Sequence, residues 1–180
     1  MYVTFAIAIQ IYSSFRILKI MDAPNFVFTA KFSLLTLSLC NIEDFSQTMT
    51  HIQYIMGSSS GYLYFVLPSL AYILLFIIFD MKMLFLVWKS HNLAHMDNPQ
   101  QLRKKLTAFY IQFYIGLFIY LTLNYFFTFD GWFIVARNLV LLPQIIHNVK
   151  LGQKPVFSAF YIFGYIGTRL LVPFYERVCT

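Results

Sequence analysis

The chain has 180 residues, of which 59% are hydrophobic, 20% aromatic and only 11% charged. A soluble domain carries about a quarter charged residues, so this chain lacks the polar surface to coat a water-soluble globule and reads as polytopic in a membrane. The net charge of +6 is not a nucleic-acid signal, because the cations are scattered at the ends of apolar runs, as membrane topology requires.

The first element is expected at 2–18, apolar from residue 2. A secretory signal peptide would open on positive charge and close on small residues, and this stretch does neither. Further spans of about 20 residues are expected at 26–42, 61–88, 107–129, 132–148 and 156–175. The third is longer than a bilayer needs, and its turns from Asp80 onward are read as leaving the hydrocarbon. The expected fold is therefore all-α, a single transmembrane domain of about six helices in PQ-loop-like bundles.

The loops assign an orientation. One set carries Arg16, Lys19, Lys89, Arg103, Lys104, Lys105, Lys150 and Lys154; the other carries Glu43, Asp44, Asp130 and Glu176 with Arg177. The positive-inside rule puts the first set in the cytosol. The cytosolic linker is then 89–106, a lumenal segment runs over 45–60, and both termini are lumenal. Arg103, Lys104 and Lys105 are candidates for contact with anionic lipid headgroups.

A repeat is suggested by Ile9-Gln10-Ile11 with Arg16, set beside Pro143-Gln144-Ile145 with Lys150. Each leads through a turn and a proline, Pro24 or Pro155, into the next span, and duplicated helical units are common in small transport folds. Gln10 would be the counterpart of Gln144.

Proline inside a span frees a carbonyl and permits a kink, and glutamine beside it can bond across a bundle. Pro143-Gln144 therefore reads as an alternating-access hinge, as in PQ-loop transporters, or as a packing kink satisfied by neighbours. Arg169 and Arg137 lie within expected spans, where a cation must snorkel or pair; their candidate partners are Asp130, Glu43, Asp44 and Glu176. Gly164 and Gly167 share a face on which another helix can approach closely. Asp80 reads as a solvated helix end, with pairing to a neighbouring cation as the alternative.

No metal or cofactor is expected. His91 and His95 are spaced four apart with Asp97 near, but two histidines fall short of the three or four ligands that zinc prefers. Cys40 and Cys179 do not make a disulfide framework or a CxxC pair. No nucleophile motif, phosphate-binding loop or HExxH is present.

The chain resembles the transmembrane module of the Golgi and endosomal RING ubiquitin ligases, the fungal Tul/Dsc group and the plant Flying-saucer ligases. The residues that carry the likeness begin with Phe79-Asp80-Met81-Lys82, Leu84, Val87-Trp88-Lys89 and His91, and continue with Phe109-Tyr110-Ile111-Gln112-Phe113-Tyr114. The best match is Pro143-Gln144-Ile145-Ile146, Asn148, Gly152, Tyr161, Gly164, Arg169-Leu170, Pro173-Phe174-Tyr175 and Cys179; Pro24, Ser33 and Asp44 fit loosely. Family members also carry a lumenal domain, a seventh span and a zinc-binding RING. None of these is found between Met1 and Thr180, so the family's ubiquitin transfer is not expected of this stretch on its own.

What the resemblance implies is a non-enzymatic endomembrane module of the Golgi, endosome or endoplasmic reticulum. It would bind partner subunits, ubiquitin-ligase complex members among them, or membrane substrates, and would contact membrane lipids but no nucleic acid. Two alternatives stand beside it: a PQ-loop-type small-molecule transporter, and a structural subunit of an organellar membrane complex.

Overall fold

The apolar run Tyr2–Asp22 folds as one helix, α1, closing on a basic last turn at Lys19. In the computed structural model the described residues are 2–22, 26–57, 62–92, 99–127, 135, 139–157, 159 and 161–167. After α1 comes a single helical turn, α2, over Phe26–Thr29. A tight turn follows, in which Lys31 and Phe32 donate to the carbonyls of Phe28 and Thr29. Ser33 then starts α3: its Oγ accepts the Thr36 N–H at 3.3 Å, the bond by which serine satisfies an orphan donor at a helix start.

α3 runs unbroken over Leu34–Gly57. The expected second span, 26–42, is thus divided by the turn at 30–33, and Glu43 and Asp44, read as loop residues, lie in mid-helix. The segment expected as a lumenal loop is helical as far as Gly57.

α4, Tyr62–Leu74, passes directly into a π-helical segment, Leu75–Asp80, and then into α5, Met81–His91. The Met81 N–H donates to Phe76, five residues back, so each turn of the segment holds an extra residue. α5 closes where Asn92 donates from its backbone to Lys89 and from its side chain to Trp88. α6, Pro99–Phe127, starts on a proline, whose missing N–H costs nothing at a first helical position. Its 29 residues measure about 43 Å, longer than a ~30 Å hydrocarbon core. One 3-10 turn, Leu139–Leu141, leads into α7, Leu142–Leu151, and 161–167 is again helical.

The bundle is built round α3, which packs against α4, the π segment, α5, α6, the 3-10 turn and α7. A ladder of rings, Phe28, Phe32, Phe157, Tyr161 and Tyr165, ties the turn at 30–33 to the last described helix. Polarity is arranged inside out. Phe118, Tyr125 and Phe126 on α6 are more than 70% exposed, while Glu43, Asn41, Thr36 and Thr48 on α3 are at most 1% exposed. In water such apolar patches would drive association; in lipid they are the natural exterior. Ser69–His91 and Pro99–Phe127 are each long and apolar enough to cross a bilayer. The described residues are all helix, turn or irregular chain, with no strand.

Candidate functional site

α3 brings polar side chains into the middle of the bundle, and Asn41, Glu43 and Asp44 are met there by partners from other elements. Gln10 of α1 donates its amide to Asp44 Oδ1 at 3.0 Å. One turn on, the Thr48 hydroxyl donates to the Asp44 carbonyl. Glu43, on the side of α3 facing α6, accepts from the Tyr120 hydroxyl and, at 3.4 Å, from the Gln47 amide. Asn41 Nδ2 donates to the Asp80 carbonyl at 3.0 Å, where the π segment ends. Asp80 itself is 3% exposed, so it is not a solvated helix end: the passage through the π segment keeps it inside.

A second polar junction forms around α7. Pro143 sits in its first turn, where a proline is pre-organised, and so opens the helix. Gln144 is buried, and its amide works as a substitute peptide group. Its Oε1 accepts the Ser33 N–H at 2.7 Å, and its Nε2 donates to the Lys31 carbonyl at 3.0 Å and to Asn148 Oδ1 at 2.8 Å. The break between α2 and α3 leaves these backbone groups without helical partners, and one side chain satisfies both. His91, at the end of α5, bonds the Phe32 carbonyl in the same turn at 3.1 Å and stacks on His147 of α7 at 6.4 Å. α7 stops at Gly152, whose φ of +59° suits glycine. Gly152 and Gln153 return their N–H groups to Val149 and Asn148, the doubled closure that ends many helices.

Gln10 and Gln144 thus both reach α3, from different helices and at different levels. Gly164 is a place of close approach: a Cβ there would meet Ile9 Cγ2 of α1 at 2.9 Å. At Gly167 a Cβ would meet nothing within 4 Å. Arg103, Lys104 and Lys105 are exposed on the second turn of α6. Arg137, Arg169 and Asp130 lie outside the described residues, as do His95 and Asp97. Among the described residues no three His, Cys, Asp or Glu are placed to share a metal ion.

Sequence reasoning missed the Glu43–Gln47–Tyr120 group and the bond from Asn41 to the π segment. A signal existed. Glu43 and Gln47 are spaced four apart, as are Tyr120 and Asn124, so each pair shares one face of its helix. Two such faces in apolar surroundings are candidates to meet.

A polar seam inside an apolar shell is what a membrane bundle builds when its helices must associate in a fixed arrangement. Comparison with known proteins says which bundle this is. The family model described as "Transmembrane E3 ligase/DUF2921 transmembrane domain" matches residues 1–180. The chain belongs to that family. It is also 27% identical over 107 residues to the transmembrane E3 ubiquitin-protein ligase FLY1 of Arabidopsis thaliana. That match covers 58% of this chain and 19% of the relative, so the chain spans well under two thirds of that protein. No solved structure matches. The chain is therefore the transmembrane module of such ligases, integral to a membrane. The stretch that best carried the resemblance now has a physical account: Pro143 opens α7, Gln144 holds the turn at 30–33, Asn148 receives the Gln144 amide, and Gly152 ends the helix.

Proposed function

We propose that this chain serves as the part of a membrane ubiquitin ligase that holds partner subunits or membrane substrates, and that it is not itself the catalyst. The observation that carries the reading is the match of the ligase transmembrane family over residues 1–180, joined to a bundle whose buried seam is occupied by contacts between helices. Such a seam fixes a shape that another membrane protein can recognise. Ubiquitin transfer would come from a RING elsewhere in the assembly; the relative FLY1 is a transmembrane E3 ubiquitin-protein ligase.

In this reading the module has about six spans and lies in the Golgi, endosome or endoplasmic reticulum. Its basic segments face the cytosol, Gly167 belongs to the partner-facing surface, and Arg169, outside the described residues, is assigned a role in partner binding. The test is gentle isolation of the native protein in digitonin, followed by mass spectrometry of whatever accompanies it. A RING protein or a ubiquitin-conjugating enzyme is expected in the mixture, with its recovery falling when Arg169→Leu is introduced. Recovery of the chain without any ligase component, or with an unrelated organellar assembly, would refute the reading.

A further inference from the structure

The basic end of the bundle gathers cations from separate parts of the chain. The Trp88 ring lies 6.1 Å from Phe109, so the end of α5 rests on the early turns of α6. His91 bonds the Phe32 carbonyl and Gln144 the Lys31 carbonyl, so the 30–33 turn and α7 meet at the same end. Lys31, Lys89, Lys150, Arg103, Lys104 and Lys105 therefore gather at one end of the bundle. The stretches 28–33, 85–92, 99–109 and 145–154 contain no Asp or Glu. Asp97, the nearest acid along the chain, lies outside the described residues.

The placement of Arg103, Lys104 and Lys105 is electrostatically odd. They are exposed near the N-terminus of a 29-residue helix with no acid in its first turn, where the helix dipole already presents positive charge and favours anions. Three adjacent cations there repel the dipole and one another. Depth supplies the answer. From Thr107 to Phe127, α6 is about 31 Å long, which fills the hydrocarbon. The three cations lie about 6–9 Å beyond the level of Phe109, within the headgroup layer.

We propose that Arg103, Lys104 and Lys105, exposed near the start of α6 and with Lys31 and Lys89 at the same end of the bundle, form a binding site for the headgroup of an anionic phospholipid. The chemistry recognised is a phosphate ester held by several donors, with a guanidinium able to bind two of its oxygens. The lipid's acyl chains would run down the exposed apolar face of α6, along Tyr114, Ile115 and Phe118. That face gives a lipid the advantage over a free phosphate.

The test is native mass spectrometry of the purified chain in detergent, titrated with phosphatidylserine or with phosphatidylcholine of the same chains. A cation beside an anionic surface contributes about fivefold, so phosphatidylserine should bind at least tenfold more tightly than phosphatidylcholine. Arg103→Gln/Lys104→Gln/Lys105→Gln should remove that preference, and Arg103→Lys/Lys104→Arg/Lys105→Arg should keep it. Should the triple glutamine variant not fold, the three single substitutions are read instead, each weakening phosphatidylserine binding by about fivefold. An unchanged preference in the glutamine variants, or its loss in the charge-conserving variant, would overturn the site. Displacement of the lipid by millimolar inorganic phosphate, or by a poly-glutamate peptide, would overturn the assignment to a lipid.

Discussion

Gln144 shows how much one side chain can settle in a bundle of this kind. Its three bonds go to Ser33, Lys31 and Asn148, and two of those partners are backbone groups that no helix satisfies. Replacing Gln144 with Leu leaves the buried Ser33 N–H and the part-buried Lys31 carbonyl without this partner, at a cost of about 1–3 kcal/mol. Thermal unfolding of the purified protein should show a lowered midpoint for Gln144→Leu and little change for Ile146→Ala, whose side chain is exposed on the same helix. The glycines of the last described helix offer a sharper contrast. Gly164→Ala drives a methyl to 2.9 Å from Ile9 Cγ2, and overpacking of this kind costs about 1–3 kcal/mol. Gly167→Ala meets nothing within 4 Å and gains up to about 1 kcal/mol of helix propensity. The two midpoints should move in opposite directions. A stabilising Gly164→Ala would show that α1 does not pack against residue 164 as described.

Among the elements, the π segment is one that sequence reading did not reach, as is the break between α2 and α3. A π turn is an α-helix holding an extra residue, so its removal leaves the helices on either side in phase. Deleting Ile78, which is exposed within Leu75–Asp80, should let α4 and α5 join as a regular helix and the bundle assemble. Deleting Leu70, exposed in regular α4, should rotate everything after it by about 100° and turn the buried face of α5 toward lipid. The recovery of monodisperse protein after size-exclusion chromatography separates the two outcomes. Equal loss in both deletions would mean that the π segment is not a removable insertion. Its bond from Asn41 comes from a residue 39 positions away, which explains why no local pattern announced it. The helical character of the apolar runs in α1 and α6 was legible, because it is written in neighbouring residues; the close of α7 at Gly152, beyond the expected end at 148, was not. Nor was the depth of Glu43 and Asp44. Acids in an apolar run read as a loop until Gln10, Gln47 and Tyr120 are seen to meet them, and those meetings are made by tertiary structure. Gln144 lay between these cases: its importance was readable, while its role as a staple for the 30–33 turn depended on a partner 111 residues away.

At the scale of the whole molecule, the inside-out polarity and the gathered cations make one statement about orientation. α3 carries Ser33 at the basic end and Met56 near its other end. At 24 residues it is about 36 Å long, enough to cross the hydrocarbon. In the proposed topology, where α3 crosses the bilayer and the basic loops face the cytosol by the positive-inside rule, Lys104 and Met56 lie on opposite sides, with Lys104 cytosolic. Both positions are exposed, so each accepts a cysteine without disturbing the core. Native Cys40 is buried, and Cys179 can be replaced by serine. In sealed vesicles with the cytosolic face outward, a membrane-impermeant maleimide should label Lys104→Cys at once, and Met56→Cys only after the membrane is opened. The reverse pattern would invert the orientation and move the anionic-lipid site to the lumenal leaflet. Labelling of both positions in sealed vesicles would mean that α3 does not cross the bilayer. The buried carboxylates of Glu43 and Asp44 would then lie near an interface, where water could take over the roles of Tyr120 and Gln10. The labelling experiment therefore tests more than topology: it asks whether the polar seam lies deep in lipid, where each of its bonds must be supplied by the protein.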